Sequence, residues 1–340
     1  MDQQLRVFVA VADKGHFSRA AAVLHMSQPA VSQHIRALEE AVGAQLLERS
    51  NKQVRMTRAG EIVYAHAKEI LGSYGRMQKS VEDLGSHAGG ALAIGTSPTF
   101  GEYILPRVLA KLKQQYPEVE PSVIIGKTAA VADKVRTGEL DVGIVQGQPQ
   151  PMRPLRAEKL ADDRMVLVAS PDHPLIELAD EQENAWQPVS EDPFIRKVRE
   201  DLNRPGLRSN AAPPLKPTVP EALSAHAWIL REPGSGTREA ADDALHRLGV
   251  VSPAEILVFG STQAVKEAVI AGLGISLLSR WTIRRELYSG ELQIVDIPGL
   301  PHIRPLSIVT ASSFRTRALD IFIELLRQQR ELTGPAGTDV

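Results

Sequence analysis

The first sixty residues carry apolar side chains at helical intervals. Leu5, Phe8 and Ala12 recur three and four positions apart and predict a first helix over residues 4–13. Alanine, valine and leucine over residues 20–24 predict a second, shorter helix. We therefore expect a small, largely helical domain at the N-terminus.

A third helix follows a polar turn and has two distinct faces. Ser27 is a good N-cap, and Pro29 fits the first turn, where its missing N–H costs nothing. The apolar face is made of Val31, Ile35, Leu38 and Val42. The opposite face carries amides, hydroxyls and a guanidinium, which can bond base edges in a major groove, although an ordinary surface helix is the alternative. The DNA-binding residues predicted on this helix are Ser27, Gln28, Pro29, Ser32, Gln33 and Arg36.

A basic loop follows the third helix. Leu46 and Leu47 lead into it, and Arg49, Lys52 and Arg55 supply positive charge. A basic loop beside a reading helix is typical of a wing that lies along the phosphate backbone. These three cations are therefore also predicted to contact DNA.

From Arg58 to about Leu84 the apolar positions repeat every four and three residues. This heptad pattern predicts a long helix that dimerises with a second copy of the chain, and packing on the body of its own subunit is the alternative. Gly72 and Gly75 each lower helix propensity by about 1 kcal/mol, so packing has to offset that cost. The predicted dimerisation residues are Val63, Ala67, Ile70, Tyr74, Met77, Val81 and Leu84.

After a glycine-rich hinge, short apolar strands alternate with helices, which predicts a mostly parallel α/β sheet. Several polar loops follow a predicted strand, the place where open α/β sheets bind ligands. Free N–H groups at helix starts, together with hydroxyls, can bind a small oxyanion. Each hydroxyl could instead be an ordinary helix cap, and Arg238 could pair with a carboxylate on its own helix. The residues predicted to bind this ligand are Thr96, Ser97, Thr99, Gln146, Gly234, Ser235, Gly236, Thr237, Arg238 and Thr262.

The composition narrows the classes of protein to consider. The 340 residues suggest two or more domains, and no apolar run approaches the roughly 20 residues that span a membrane. The N-terminus lacks a signal-peptide layout, so we expect a cytoplasmic protein with no membrane partner. The sequence has no cysteine, which excludes disulfides, thiolate zinc sites and thiol-based redox sensing.

The distribution of charge and the lack of a catalytic cluster favour a DNA-binding protein over an enzyme. The net charge is −2, yet residues 1–60 carry eight Lys or Arg against five Asp or Glu. This excess is modest, so two copies would hold DNA better than one, and binding should depend strongly on salt. The sequence shows no nucleophile–base constellation and no metal-ligand cluster, so no catalytic residue, metal or cofactor is expected.

The segment SRAAAVLHMSQPAVSQHIRALE, the element LLERSNKQVRMTRAG and the long helix after them resemble the LysR-type transcriptional regulators. This resemblance implies an N-terminal winged helix-turn-helix, a linker helix, and an α/β effector domain. The effector domain is expected to have two Rossmann-like subdomains with a cleft between them, as in type 2 periplasmic binding proteins. The implied ranges are 1–58 for DNA binding, 59–90 for linker and hinge, 91–330 for the effector domain, and 331–340 for the tail.

The resemblance also implies how the effector domain is divided. Subdomain I is expected over 91–161 and 270–330, and subdomain II over 162–269, with chain crossings near 161–165 and 260–271. The segment at about 176–226 is charged and rich in proline, and it is longer than the corresponding segment usually is in the family, so it is read as an insertion.

Within the family, the motifs SPTFGEYILP, REPGSGTRE and GSTQAVKEAVIAGLGISLLS resemble the branch that includes the CysL and CbbR regulators. This implies a homotetrameric regulator of sulfur or carbon assimilation genes that binds promoter DNA and RNA polymerase. Its effector would be sulfite, sulfate, or a small phosphorylated or carboxylated metabolite. A LysR-type sensor of a larger organic acid is the alternative, and an enzyme or solute-binding protein is a more distant one.

Overall fold

The structure is a computed structural model, and it describes residues 2–49, 54–83, 89–147, 155–180, 217–311 and 315–329. Lys52, Leu84, the tail from residue 331 and most of the insertion lie outside the described residues. Within the described residues, no helix is long and apolar enough to cross a membrane.

The N-terminal domain packs three helices around one apolar core. The turn between the second and third helices is where the sequence predicts it, and Ser27 caps the third helix by accepting from the backbone N–H of Ala30. Val31, Ile35 and Leu38 face the core, whereas Val42, expected on the same face, is 46% exposed at the helix end. The elements are α1 (Asp2–Lys14), α2 (Phe17–Val23), α3 (Gln28–Val42), β1 (Leu47–Arg49) and β2 (Val54–Met56).

The long helix α4 (Arg58–Asp83) begins in this domain and continues past it. Its first half packs against α1, so Ala67 is fully buried and Val63 contacts the core of its own domain. Those two predicted dimerisation residues are therefore covered within the chain. The other described members of the stripe, which are 40–62% exposed, are Ile70, Tyr74, Met77 and Val81.

The remaining elements alternate between strand and helix, as the sequence predicts. In chain order they are β3 (Gly90–Thr96), α5 (Pro98–Tyr103), α6 (Leu105–Gln115), β4 (Val119–Ile125), α7 (Thr128–Arg136), β5 (Val142–Gln146), β6 (Leu155–Ala169), α8 (Pro174–Asp180), α9 (Val219–Ser224), β7 (Ala227–Arg231), α10 (Gly236–Arg247), β8 (Glu255–Phe259), α11 (Thr262–Ile270), β9 (Ser276–Ser279), a 3-10 turn (Arg280–Thr282), α12 (Arg284–Ser289), β10 (Gln293–Ile294), β11 (His302–Ala311) and α13 (Arg317–Arg327).

The chain divides into two compact units. The first contains the N-terminal domain, α4 and most of β3 to the start of β6, and it is completed by the chain after residue 306. In this unit β3 pairs in parallel with both β4 and β5, and Thr96 at the end of β3 lies opposite Ile144 of β5. The ends of β3 and β5 are therefore side by side.

The second unit contains residues 102–104 and 161–306. Here β7 pairs in parallel with β8, and the second half of β6 pairs antiparallel with β9 and β10. The core includes Trp228, which is 1% exposed and donates its indole N–H to the carbonyl of Leu223 at 3.0 Å.

Two strands pass from one unit to the other. β6 crosses after Leu160, close to the predicted crossing near 161–165, but the return crossing lies in β11 after Leu306. The predicted return near 260–271 is not where the chain crosses. Residues 270–306 lie in the second unit because β9 and β10 both pair with β6.

A buried ion pair ties the second unit together. Asp163 on β6 is fully buried and accepts from the Nε of Arg304 on β11 at 2.7 Å and from the hydroxyl of Ser279 on β9 at 2.5 Å. Arg304 also donates to the carbonyl of Gly236 at 2.9 Å. Four elements therefore meet at one charge pair, and removing one partner leaves the other charge buried without compensation.

We predict that Asp163→Asn lowers the free energy of unfolding by about 3–5 kcal/mol, because Arg304 loses its counter-charge. All three tryptophans of the sequence lie between residues 161 and 306, so urea denaturation followed by tryptophan fluorescence measures this unit. The exposed Asp172 of the same unit provides the control, and Asp172→Asn should change stability by less than about 0.5 kcal/mol. Equal effects of the two substitutions would contradict the role of the buried pair.

Candidate DNA-binding and ligand-binding sites

The predicted reading face of α3 is open to solvent. Gln33 and Arg36 are exposed on the side opposite the buried Val31 and Ile35. Ser27, Gln28 and Pro29 at the start of the helix are exposed as well, and Ser32 is half-buried. Within this face, the amide of Gln28 donates to the hydroxyl of Ser32 at 3.2 Å. The polar groups expected to contact DNA therefore share one accessible surface.

A two-stranded hairpin follows α3. β1 and β2 pair antiparallel, with Glu48 opposite Arg55, and the Arg55 side chain is exposed. Arg49 ends β1, whereas Lys52 lies outside the described residues. Arg58, at the start of α4, pairs with Glu61 at 2.7 Å and is less available for another partner. The hairpin has the topology of the predicted wing.

Three hydroxyls of the first unit are buried at the end of β3. Thr96, Ser97 and Thr99 are at most 3% exposed. The backbone N–H of Ser97 donates to the carbonyl of Ile144 on β5 at 3.0 Å, which places the first predicted ligand loop beside the end of β5. Gln146 lies at that end, and its carbonyl accepts from the hydroxyl of Thr128 at 3.2 Å. The four predicted residues of this unit therefore occupy adjoining loops.

The hydroxyl of Ser97 is unusual among these groups. It is buried and has no hydrogen-bond partner among the described residues. An unpaired buried hydroxyl costs free energy, so such groups in folded proteins commonly bind a ligand, an ion or water. The helix that follows, α5, has only six residues, so its dipole contributes less than the predicted anion site assumed.

The second unit holds the other predicted ligand residues at the starts of two helices. Ser235 occupies the N-cap position of α10, yet its hydroxyl makes no capping bond within the described residues. Ser235 and Thr237 are 8% and 7% exposed. Gly234 has a φ of +78°, a conformation that glycine adopts without strain. Together with Gly236, these residues form a tight, hydroxyl-bearing turn.

Arg231 is a buried cation that was not predicted from the sequence. It ends β7, is 8% exposed, and donates from Nη1 to the hydroxyl of Thr262 at 2.8 Å. Its Nε donates to Glu232 at 2.7 Å. Because Thr262 accepts from Arg231, its own hydroxyl hydrogen remains available to a ligand. A charged residue at the end of a strand of otherwise apolar residues is the signal that could have revealed it.

A second buried pair lies near Arg231 in the same unit. The ammonium of Lys266 donates to Glu286 at 2.5 Å and lies 5.2 Å from the ring centre of Tyr103. Burial, followed by the charges of Glu102 and Glu286, raises the pKa of Tyr103 to about 12. Tyr103 is therefore a neutral phenol at physiological pH.

Arg238 pairs with a carboxylate on its own helix, which is the alternative to ligand binding that the sequence left open. Its Nε donates to Asp242 on the same helix at 2.8 Å, and its Nη1 donates to the carbonyl of Arg231 at 3.2 Å. Arg231, Arg238 and Lys266 each have a carboxylate partner. Over the described part of the chain, no group of three His, Asp or Glu residues could hold a metal ion. The loops therefore offer hydroxyls, backbone N–H groups and neutralised cations.

Comparison with known proteins assigns the chain to a family. Residues 3–61 match the model for the bacterial regulatory helix-turn-helix protein of the lysR family, and residues 85–331 match the LysR substrate binding domain. The chain is 33% identical over 324 residues to the transcriptional regulator CysL of Bacillus subtilis, with 95% of each chain covered. It is 34% identical over 298 residues to the RuBisCO operon transcriptional regulator of Acidithiobacillus ferrooxidans, covering 88% of this chain and 84% of that protein.

A solved structure supports the same fold. The Synechocystis PCC6803 CcmR regulatory domain in complex with 2-PG matches with a TM-score of 0.53 and 26% identity, covering 73% of this chain and 100% of that one. The predicted helix-turn-helix and effector-domain fold are confirmed, and both relatives are named as regulators and not as enzymes. The chain belongs to the LysR family of transcriptional regulators.

Proposed function

We propose that this regulator binds promoter DNA through α3 and the wing and senses a small anion in its effector domain. The observation that carries the ligand assignment is the buried, unpaired hydroxyl of Ser97. In this proposal the anion controls promoter binding or activation of sulfur or carbon assimilation genes. RNA polymerase is the further partner that the family resemblance implies.

The DNA-binding part of the proposal rests on the reading face of α3. Gln33 can bond adenine in two places, and Arg36 can bond the two acceptors of guanine. Arg55 on β2 is exposed where a wing would meet phosphate. The positive charge of this domain is modest, so two copies reading two half-sites would give higher affinity.

Exposed apolar surfaces support assembly of several copies. Ile70, Tyr74, Met77 and Val81 form one exposed stripe on α4, which fits a dimer through this helix. Two edge strands expose further apolar side chains, and a tetramer could use them as a second interface. These side chains are Val123, Ile124 and Ile125 on β4, and Ile256 and Val258 on β8.

The ligand class follows from the groups in the two sets of loops. In the first unit Ser97 supplies a hydroxyl. In the second unit Ser235 and Thr262 supply hydroxyls, and the helices α10 and α11 supply backbone N–H groups at their starts. Such groups suit sulfite, sulfate or a small phosphorylated or carboxylated metabolite. The CcmR regulatory domain binds 2-PG in its solved complex, which makes 2-PG a compound to test here.

We predict that Arg36→Ala weakens specific DNA binding by about 1–3 kcal/mol, because a contact to a base edge is lost. Arg36→Lys keeps the charge but loses the two-pronged geometry, so it should bind unrelated DNA normally and lose specificity. Fluorescence anisotropy at several salt concentrations measures both, with one duplex selected by the wild-type protein from a randomised library and one unrelated duplex. An Arg36→Lys variant with wild-type preference would remove Arg36 from the reading face.

We predict that a small anion raises the thermal stability of the full chain, by about 2.7 kcal/mol at a hundred times its Kd. The compounds are sulfite, sulfate, phosphate, phosphoglycerate, 2-PG and several carboxylates. Ser97→Ala should lose this response without lowering the stability of the free protein, because it removes a hydroxyl that has no partner among the described residues.

Ser276→Ala is the matched control for Ser97→Ala. Ser276 is 1% exposed, but its hydroxyl donates to the carbonyl of Ile229 at 2.7 Å. This variant should lose about 1 kcal/mol of stability and keep the full ligand response. A Ser97→Ala variant that responds like the wild type would move the site elsewhere, and no response to any compound would favour a larger organic effector.

A further inference from the structure

One face of α4 packs against the effector part of the same chain. We call it the docking face and define it by Lys68, Gly72, Arg76 and Lys79, which lie within one side of the helix. It contacts the turn between α7 and β5, residues 137–141. At 100° per residue, the exposed apolar stripe of α4 lies on the opposite side.

Two glycines bring the helix and the turn into backbone contact. A Cβ at Gly72 would lie 1.8 Å from the carbonyl oxygen of Thr137, and a Cβ at Gly138 would lie 2.7 Å from the Cα of Gly72. Gly138 also has a φ of +76°, which favours glycine. Gly75, one turn along, has no described atom within 4 Å of its Cβ position. The close contact therefore explains why residue 72 is a glycine, but it does not explain the glycine at position 75.

Ion pairs surround the glycine contact. Lys68 pairs with Glu139 at 2.8 Å, and Lys79 lies 3.1 Å from both carboxylate oxygens of Asp141. Burial alone would raise the pKa of Glu139, but hydrogen bonds from Lys134 and Lys68 outweigh it and lower the pKa to about 2. The pair of Lys68 and Glu139 therefore stays charged at physiological pH, and both pairs align the helix on the turn.

The same helix is built into the DNA-binding domain. Ala67, next to Lys68, is fully buried in the core of that domain. Tyr64 donates its hydroxyl to Asp13 on α1 at 2.5 Å, and the ammonium of Lys68 lies 5.6 Å from the centre of the Tyr64 ring. A displacement of the docking face therefore moves side chains that hold α1.

The turn at residues 137–141 is also bonded to β3 and β5, the strands that lead to the ligand loops of the first unit. Asp141 accepts from the backbone N–H of Ala93 on β3 at 2.8 Å and donates its own N–H to the Ala93 carbonyl at 2.8 Å. It directly precedes β5. β3 and β5 end at Thr96 and Gln146, both in the candidate ligand site. A continuous set of packed contacts thus runs from α1 to these loops.

We propose that the docking face is the route by which the state of the effector domain reaches the DNA-binding domain within one chain. The inference rests on the proposed function, since it requires that α3 binds DNA. Coupling of this kind is reciprocal: if ligand loops alter DNA binding, then DNA binding must alter the ligand loops. The proposal can therefore be tested with DNA alone, before the effector is known.

The experiment is amide hydrogen exchange of the full chain with and without a saturating DNA duplex, selected by the wild-type protein from a randomised library. DNA should change the exchange rates over residues 91–96 and 142–146 by about fivefold or more. Gly72→Ala should bind the same duplex and lose that distant change, because its Cβ cannot fit against Thr137. Gly75→Ala is the matched control and should behave like the wild type.

A second set of variants tests whether the ion pair of Lys68 and Glu139 is needed for the coupling. It keeps the proposal testable if Gly72→Ala does not fold. Lys68→Glu places two carboxylates together and should lose the distant change. Because Lys134 also pairs with Glu139, the reversed set Lys68→Glu, Lys134→Glu and Glu139→Lys restores opposite charges and should recover it. Thermal unfolding confirms that each variant is folded.

The outcomes separate this inference from the proposed function. If the wild type selects no DNA sequence, the proposed function fails. If it binds DNA but the exchange over residues 91–96 and 142–146 does not change, the docking route is overturned. The route is equally overturned if folded Gly72→Ala or Lys68→Glu keeps the full response, because the signal then passes elsewhere, for example through a second copy.

Discussion

The structure of the first unit depends on one helix having different surroundings on different faces. α4 buries Ala67 in the N-terminal core, lays Gly72 against the backbone at Thr137, and leaves Ile70 and Met77 exposed. An α-helix turns 100° per residue, so these three environments can follow one another along 26 residues without conflict. Any change that rotates or bends α4 disturbs all of them together.

In the second unit, each cation near the predicted ligand loops is paired with a carboxylate. Arg231 bonds Glu232, Arg238 bonds Asp242, and Lys266 bonds Glu286. A site of this kind attracts an anion through hydroxyls and backbone N–H groups, whose dipoles are fixed before the ligand arrives. Selectivity then depends on the number and geometry of donors, which suits the recognition of a compact oxyanion.

Local chemistry in the sequence was enough to predict the N-terminal helices, the Ser27 cap and most strands of the effector domain, because capping and periodicity act over a few residues. It did not predict β10 or β11. The family and fold class are confirmed. The return crossing at Leu306 was not predictable, since it depends on the pairing of β9 with a strand more than a hundred residues away. Likewise, only the folded chain shows that Ser97 lacks a partner among the described residues and that Arg231 holds Thr262.

Because α4 packs both in the N-terminal domain and against the effector part of the chain, hybrid regulators are harder to build. A DNA-binding domain is usually exchanged by cutting the chain at a single point, but no single point separates the two parts here. A cut between α4 and β3 would carry a foreign docking face onto the native turn at residues 137–141. Its side chains would have to match Glu139 and Asp141. A cut at the start of α4 would keep that fit but would leave Tyr64 and Ala67 facing a foreign α1. Exchangeable modules in this protein are therefore defined by interfaces in space and not by a boundary in the sequence.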